Sequence, residues 1–366
     1  MLRRALAGLL LLALTSCGDN GTPTGPSALP PTVAHIVPDA GSTAGGTVVS
    51  ITGSKFAPGA IVTIGGVAAT DIVVKDSATL SATTGAHGVG AASVVVAVNG
   101  LTATLNDAFT YANPGPENNP PPKVIALVAQ GSRPKEPAQF ADLGEQIAIT
   151  ATVTDAETPL DQLAFQWTAD NGTLTGSGPS VAWKAPESGS TPLESAVHLT
   201  IVERYITPDS IIHENTVSQA TTVSVHESVK EVGEMATRFL ENFSRSEIPT
   251  QIVMQDFLVG CYGTAEERQQ VEDNRDTYVI TSWAVHSPSV VIQFGGVCDF
   301  RSRRGDACSK SEVRWDSTKI VSGETGSVSG FDYIAAMYQS DRWWLCDSQF
   351  GATSAQGESM MFGLIR

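Results

Sequence analysis

The sequence predicts a multidomain chain in which two all-β sandwiches are followed by an α+β domain, with N-terminal helices on a curved antiparallel sheet. The chain has 366 residues, too many for one ordinary hydrophobic core. Only 16% of the residues are charged, and the 34 Gly and 20 Pro are typical of many short strands joined by turns. At residue 228 the hydrophobic spacing changes to that of a helix, which places the α+β domain at 228–366.

The first sixteen residues predict a secretory signal peptide. Arg3 and Arg4 precede an apolar run over Ala5–Leu14, and this order of charged and apolar segments is typical of export signals. The apolar run is too short to span a bilayer as a finished helix. We therefore expect residues 1–16 to direct the export of the chain.

A short motif at the end of this segment predicts a lipid anchor. Leu14-Thr15-Ser16-Cys17 resembles the bacterial lipobox, which implies cleavage before Cys17 and lipidation of that cysteine. A plain signal peptide with a chance cysteine is the alternative. Residues 17–32 have almost no apolar side chains and predict a flexible tether. In bacterial lipoproteins, Asp after the lipidated cysteine is associated with retention in the inner membrane. Gly18 holds that position here, so the resemblance implies an outer-membrane location in the bacterial cell envelope, on either the periplasmic or the external face.

Turn motifs and β-branched runs fill residues 33–112. Val94–Val98 is followed by Asn99-Gly100, a strong signal for a hairpin. Further motifs occur along the segment: Ile36-Val37-Pro38, Gly45-Gly46-Thr47, Ile51-Thr52-Gly53, Gly65-Gly66 and Ala108-Phe109-Thr110-Tyr111. Together they resemble the IPT/TIG family, which implies an immunoglobulin-like β-sandwich. In exported bacterial proteins this resemblance implies a spacer or an adhesive module.

Residues 123–227 predict a second sandwich, which follows a Pro-rich linker over 113–122. We expect the linker to be extended and semi-rigid. Ile147–Val153 alternates in the manner of a half-buried strand. The segment resembles PKD and related immunoglobulin-like modules, and this resemblance implies that Trp167 is a core aromatic residue.

Helices followed by strands are predicted for the C-terminal domain. Ser228 opens a capping box, and apolar residues then recur at helical spacing up to Phe243. Further helices are expected from Pro249 and from Thr264, and strands from Tyr278 onward. This order resembles the nuclear transport factor 2-like (SnoaL-like) cone, which implies a pocket between a curved sheet and helices. A domain of the same class without a pocket is the alternative.

Three side chains are candidates for lining such a pocket: Tyr278, His286 and Trp343. The sequence contains no G-x-S-x-G motif, no Gly-rich phosphate loop and no H-E-x-x-H motif. We therefore predict no catalytic residue and no cofactor, although a cone pocket would still allow proton transfer by Asp, Tyr or His.

Four cysteines lie in the last third of the chain and predict two disulfides in an exported protein. We expect one bond between Cys298 and Cys308 and the other between Cys261 and Cys346, one of three possible connectivities. Zinc is the competing interpretation, but the sequence has no C-x-x-C pair. Asp155 and Glu157 are too few for a calcium site, and a solvated turn is favoured there. No metal site is predicted.

The net charge of −16 argues against a nucleic-acid partner, which would favour a basic surface. Within this acidic chain, Arg301, Arg303 and Arg304 form a local cationic cluster between two cysteines. They are a candidate contact patch for an anionic glycan. The alternative is a solvated loop in which Asp299 and Asp306 balance the arginines.

The sequence therefore favours a non-enzymatic, lipid-anchored envelope protein. Two immunoglobulin-like spacers would hold the C-terminal domain away from the membrane for binding or adhesion, with a glycan or an envelope protein as partner. The alternative is a cone-type pocket that binds or converts a small molecule. A deep pocket with convergent polar groups would favour the alternative, and a filled interior would favour binding or adhesion.

Overall fold

The structure is a computed structural model that describes residues 29–298 and 303–356. The predicted signal peptide, the lipidation site Cys17, most of the tether and Arg301 lie outside the described residues. The chain divides into two compact units. The first runs through Pro114 and includes Ile206–Ile212; the second holds the rest of the chain.

The first unit is a β-sandwich. Its strands are β1 (Thr32–Val37), β2 (Ala40–Ser42), β3 (Val48–Ser54), β4 (Ile61–Ile64), β5 (Val67–Ala68), β6 (Thr70–Val74), β7 (Thr79–Thr83), β8 (Gly90–Val98) and β9 (Leu101–Pro114). One sheet has the order β1-β3-β7-β6, and the other has the order β9-β8-β4-β5 with β2 parallel to β9. Alternate residues of the two sheets face each other, so that Val49 and Ile51 pack with Val94 and Val96 in a dry core.

The second unit begins with another β-sandwich. Its strands are β10 (Lys123–Gln130), β11 (Phe140–Asp142), β12 (Gln146–Thr154), β13 (Ala164–Ala169), β14 (Thr173–Ser177), β15 (Ser180–Lys184), β16 (Leu193–Ile206) and β17 (Ile212–His226). One sheet has the order β10-β12-β15-β14; in the other, β11 pairs with β17, β17 with β16, and β13 also with β16. Trp183 is fully buried in the core, while Trp167 is partly buried against it and donates its indole N–H to the Gly178 carbonyl at 2.9 Å.

The C-terminal domain belongs to the same compact unit as the second sandwich. Its elements are α1 (Ser228–Ser244), α2 (Thr250–Val253), α3 (Thr264–Thr277), β18 (Tyr278–Val285), β19 (Ser289–Cys298), β20 (Arg303–Lys319), β21 (Thr325–Gln339) and β22 (Arg342–Gln356). The sheet order is β18-β20-β21-β22, and β19 pairs antiparallel with the first half of β20. None of the helices in the described part of the chain is both long and apolar enough to span a membrane.

One face of α1 packs on this sheet. Val232, Ala236, Phe239 and Phe243 recur at helical spacing and are buried against the strands, as the sequence predicts. Val229 departs from the prediction, because more than half of its side chain is exposed. Val229 lies in the first turn of the helix, one turn before Val232 along the axis.

The start of α1 differs from the predicted capping box. The helix begins at Ser228, with Glu227 as its N-cap residue, and Glu231 accepts the Glu227 N–H at 3.0 Å. The N–H and hydroxyl of Ser228 both donate to Asp142 Oδ1, at 2.9 and 2.6 Å. A carboxylate of the second sandwich therefore satisfies the free N–H at the start of the helix.

The prediction of an α+β domain at the C-terminus is wrong. Strands make up 57% of the structure and helices 12%, and the C-terminal region is built mainly from β18–β22. The last three strands have 15 to 17 residues. In addition, α2 is a single turn of four residues. The chain is therefore mainly β, with three α-helices among the described residues.

Candidate functional site

The inner face of the C-terminal sheet is filled by side chains. The cavity between α1, α3 and the sheet has a volume of about 10 Å³, and its apolar walls include Phe243, Trp315 and Phe350. That volume accommodates one water molecule at most. As far as the described residues form it, the interior therefore has no room for an organic substrate, which disfavours the alternative of a cone-type pocket.

Two carboxyl groups lie in this interior. Asp332 on β21 is 4% exposed and accepts the Ser348 hydroxyl at 3.0 and 3.1 Å, and burial raises its pKa to about 7. Glu267 on α3 is 6% exposed, and its Oε2 has no hydrogen-bond partner. Burial, together with the charges of Asp332 and Asp347, raises the pKa of Glu267 well above its ordinary value. The pair therefore retains protons at pH values where exposed carboxylates are ionised.

The second sandwich and the C-terminal domain meet at an aromatic cluster. Phe140 on β11 is fully buried, and its ring stacks on His226 with the centroids 5.2 Å apart. It also meets the rings of Tyr338 and Phe294 edge to face, at 4.8 and 5.2 Å. Phe140 therefore belongs to the hydrophobic core of the C-terminal domain, although it lies on a strand of the sandwich.

Polar groups surround the buried His226 ring. Its Nδ1 lies 2.8 Å from Glu231 Oε2, and its Nε2 lies 3.1 Å from Ser224 Oγ and 3.0 Å from the Tyr338 hydroxyl. Although burial raises the pKa of Glu231, its hydrogen bonds with His226 and the Glu227 N–H lower that pKa below the ordinary value. The Ser224 hydroxyl also donates to Glu194 at 3.0 Å, and Ser224 and His226 are both buried. The arrangement therefore joins the two domains through hydrogen bonds around the buried ring.

A cleft of about 360 Å³ lies beside this network. Its walls include Pro192 of the sandwich and Trp343 of β22, together with His226 and Glu231. The indole N–H of Trp343 donates to the Ser228 hydroxyl at 3.1 Å. The cleft brings acidic and basic side chains together, because Glu234, Arg238 and Arg342 complete its walls.

An ion cluster around Arg133 also joins the two domains. Its guanidinium pairs with Glu136, Asp142 and Glu145 at 2.5, 2.7 and 2.6 Å. The same group lies 5.3 and 5.2 Å from the ring centroids of Phe140 and Phe294. The Glu136 side chain is completely buried. Arg133 therefore connects the sandwich to the C-terminal domain through both charge and aromatic contacts.

The opposite face of the C-terminal sheet is partly open to solvent. Strands β20 and β21 place Lys310, Glu312 and Arg314 beside Phe331 and Tyr333, and we call these five residues the outer sheet face. The Lys310 ammonium lies 4.2 Å from the Phe331 centroid and 5.3 Å from that of Tyr333. The two rings are 6.5 Å apart and tilted by 57°. The surface therefore combines aromatic faces with charged hydrogen-bonding groups.

The three predicted pocket residues do not line one site. Tyr278 begins β18 and is partly buried against the core, while His286 is exposed after β18, where its backbone N–H donates to the Glu312 carbonyl. Trp343 is buried and contributes to the cleft beside His226. Neither Tyr278 nor His286 lines that cleft or the interior cavity.

Arg303 and Arg304, the two described arginines of the predicted contact patch, differ in their surroundings. Arg303 pairs with Asp347 at 3.1 Å and with Glu266 at 3.5 Å, and its guanidinium lies 5.3 Å from the Tyr262 ring. Arg304 is exposed. One of the two described arginines is therefore engaged in ion pairs within the domain.

Two disulfides are present, as the cysteine count predicts. Cys298 is bonded to Cys308, and Cys261 is bonded to Cys346. The first bond joins β19 to β20, and the second ties the segment before α3 to β22. Both bonds therefore brace the framework of the C-terminal sheet.

Asp155 and Glu157 lie on the turn after β12. Asp155 Oδ1 accepts the N–H groups of Glu157 and Thr158 at 2.9 and 2.7 Å, which is the geometry of an Asx turn. Glu157 is exposed. Within 29–298 and 303–356, no three His, Cys, Asp or Glu side chains converge as a metal site.

Comparison with known families identifies the first sandwich. Residues 31–111 match the family model of the IPT/TIG domain. The first sandwich is an IPT/TIG domain. This confirms the resemblance carried by the glycine and proline motifs of the segment. No curated protein matches the chain.

Solved structures show only weak likenesses. A surface glycan-binding protein of Prevotella bryantii is 13% identical over 53% of this chain and 42% of its own, with a TM-score of 0.27. A Bacteroides ovatus glycan-binding protein in complex with a mixed-linkage heptasaccharide is 13% identical over 55% of this chain and 46% of its own, with a TM-score of 0.20. A tandem pair of titin immunoglobulin domains is 10% identical over 54% of this chain and 94% of its own, with a TM-score of 0.25. The aligned part spans less than half of either glycan-binding protein, and at these TM-scores we draw no functional conclusion.

Sequence reasoning did not identify the outer sheet face as a site. Phe331 and Tyr333 are separated by one residue within a predicted strand, a spacing that places both on one face. That signal is present in the sequence, but it does not tell which face is buried. Phe140 and His226 lie far apart in sequence and carry no motif, so their contact required the tertiary structure.

Proposed function

We propose that the protein is a cell-envelope binding protein whose C-terminal domain contacts a carboxylated glycan through the outer sheet face. The observation that carries this proposal is the placement of the Lys310 ammonium over two partly exposed aromatic rings, Phe331 and Tyr333. The space between the helices and the inner face of the sheet is filled by the described side chains and leaves no room for an organic ligand. This supports a binding site on the outer face.

The chemistry of this face suits an acidic sugar. The apolar face of a sugar ring packs on an aromatic face, as other apolar groups do. Lys310 and Arg314 supply cations for a carboxylate, and Glu312 accepts hydrogen bonds from hydroxyl groups. Arg314 also lies 3.5 Å from Asp316 Oδ1, so Lys310 is the cation of this face that lies nearest the two rings.

A glycan array and affinity electrophoresis test the proposal. The array contains carboxylated, phosphorylated and neutral glycans, and a polysaccharide that binds is cast into the gel. We expect the double variant F331A/Y333A to bind roughly 30-fold more weakly, because truncating central aromatic contacts costs about 2 kcal/mol or more.

The control is W283A. Trp283 lies on β18 and is 40% exposed, with Arg245 5.9 Å from its ring, so it is a solvent-accessible aromatic residue of the same domain that also has an arginine beside it. We expect this variant to bind like the wild type. Unchanged binding by F331A/Y333A, or loss of binding in W283A alone, would contradict the placement of the site.

We also propose that Cys17 is lipidated and that the protein faces outward from the outer membrane, with the two sandwiches as spacers. Protease treatment of intact cells is then expected to release fragments of the C-terminal domain, identified by mass spectrometry. The C17S variant is expected to leave the membrane fraction. If the protease cleaves the domain only after the outer membrane is breached, the domain lies in the periplasm. That result would contradict the outward orientation and a role in adhesion.

A further inference from the structure

A fully buried carboxylate lies beside the Pro-rich linker in the second unit. Glu203 on β16 is 0% exposed. It accepts the side-chain amides of Asn119 and Asn215 at 2.6 and 2.9 Å, and the Thr158 hydroxyl also donates to it. Among the described residues, no Lys or Arg is paired with Glu203. A buried carboxylate that has only neutral donors carries an unbalanced charge.

Two buried oxygen atoms of the residues around this carboxylate have no hydrogen-bond partner among the described residues. Asn119 is 7% exposed, and its Oδ1 is buried without a donor. Rotating the amide would not help, because it would place Oδ1 against the Glu203 carboxylate. Asp155 Oδ2 is likewise buried and unpartnered. Buried polar atoms normally have a partner, so two such oxygens leave places for a hydrogen-bond donor or a cation.

Thr158 connects these groups. Its N–H donates to Asp155 Oδ1 at 2.7 Å, and its hydroxyl donates to Glu203, so one residue contacts both carboxylates. A cleft of about 270 Å³ reaches Asp155 from solvent. Its walls also include Pro120 of the linker and Lys123, the first residue of β10. The cluster is therefore accessible to a small ion, although Glu203 itself is covered.

We propose that this cluster binds Ca²⁺. Calcium takes six to eight oxygen ligands, and carboxylate, amide and hydroxyl oxygens all suit it. Glu203 and Asp155 would supply charge, Asn119 Oδ1 and Thr158 would supply neutral oxygens, and water completes the shell. The site differs from the Asp155–Glu157 turn considered from sequence, because its central ligand is Glu203. It is independent of the proposed glycan face.

Calcium titration of the full chain tests the proposal, with binding measured by calorimetry after removal of divalent ions by chelator. With only two carboxylates, we expect a Kd of about 10⁻⁴–10⁻³ M, the range of extracellular calcium modules. Saturating Ca²⁺ is expected to raise the Tm, because it binds only the folded state. The E203Q variant is expected to lose both the calorimetric signal and the Tm shift, since the amide keeps the size of the side chain without its charge.

Two further variants complete the design. D155N is expected to weaken binding and remains informative if E203Q does not fold. E157Q is the matched control, because Glu157 is exposed on the same turn, and it is expected to bind like the wild type. The absence of binding by the wild type at 10⁻² M Ca²⁺, or full binding by both E203Q and D155N, would overturn the proposal.

Discussion

Raising the pH from 5 to 8 is expected to destabilise this protein by about 2–3 kcal/mol through Asp332 alone. The ordinary pKa of this carboxyl is 3.8, and burial raises it to about 7 in the folded protein. Between pH 3.8 and about 7, the carboxyl is therefore protonated in the folded state and ionised in the unfolded state. The contribution to stability is fully present below pH 3.8 and is lost as the pH rises through 7. Glu267 acts in the same direction, because its pKa is also raised.

Urea unfolding of the wild type and D332N at several pH values measures this effect. The variant has no proton to lose at this position, so we expect its stability to vary less with pH and to exceed that of the wild type at pH 8. D276N is the control, because Asp276 is exposed near the end of α3. A wild type whose stability is equal at pH 5 and 8, or a pH slope that is the same in D332N, would contradict the prediction.

Replacing Arg133 with Leu is expected to destabilise the second unit by about 3 kcal/mol. The change leaves three carboxylates without their shared cation, and one of them, Glu136, has a completely buried side chain. It also removes the guanidinium from its place against Phe140 and Phe294. The cost is large because one partner of a partly buried network is removed while the others stay in place.

Arg204 provides a matched control in the same unit. It pairs with Glu214 at 2.7 Å, but both side chains are largely exposed, at 65% and 44%. Exposed pairs contribute about 0–1 kcal/mol, so R204L is expected to have little effect on chemical unfolding. Equal destabilisation by R133L and R204L would show that the cluster around Arg133 does not hold the two domains together.

Some of the architecture could be predicted because its signals are local. The paired glycines and the Asn99-Gly100 turn require backbone conformations that few residues adopt, and they identified the IPT/TIG domain. The apolar stripe from Val232 to Phe243 predicted α1 because helical spacing places these residues on one face. Each signal lies within a short stretch of chain.

The class of the C-terminal domain could not be predicted in the same way. The buried positions in the first half of β20 include Gly305, Ser309 and Ser311, so this part of the strand carries little hydrophobic signal. Pairing with β19 and β21 continues the strand, and this pairing is a tertiary event.

The sequence by itself determined the first β-sandwich, the amphipathic α1 and the presence of two disulfides, because spacing within the chain encodes turns, helix faces and cysteine counts. The tertiary structure decided the rest. It brought Phe140 against His226, Arg133 against Phe294, and Glu203 against Asn119, pairs whose members lie at least 84 residues apart in the sequence. The burial and the pKa of a side chain depend on which surfaces meet in the folded protein. The periodicity of a sequence shows which residues share a face of a strand or helix, but not which element packs against that face.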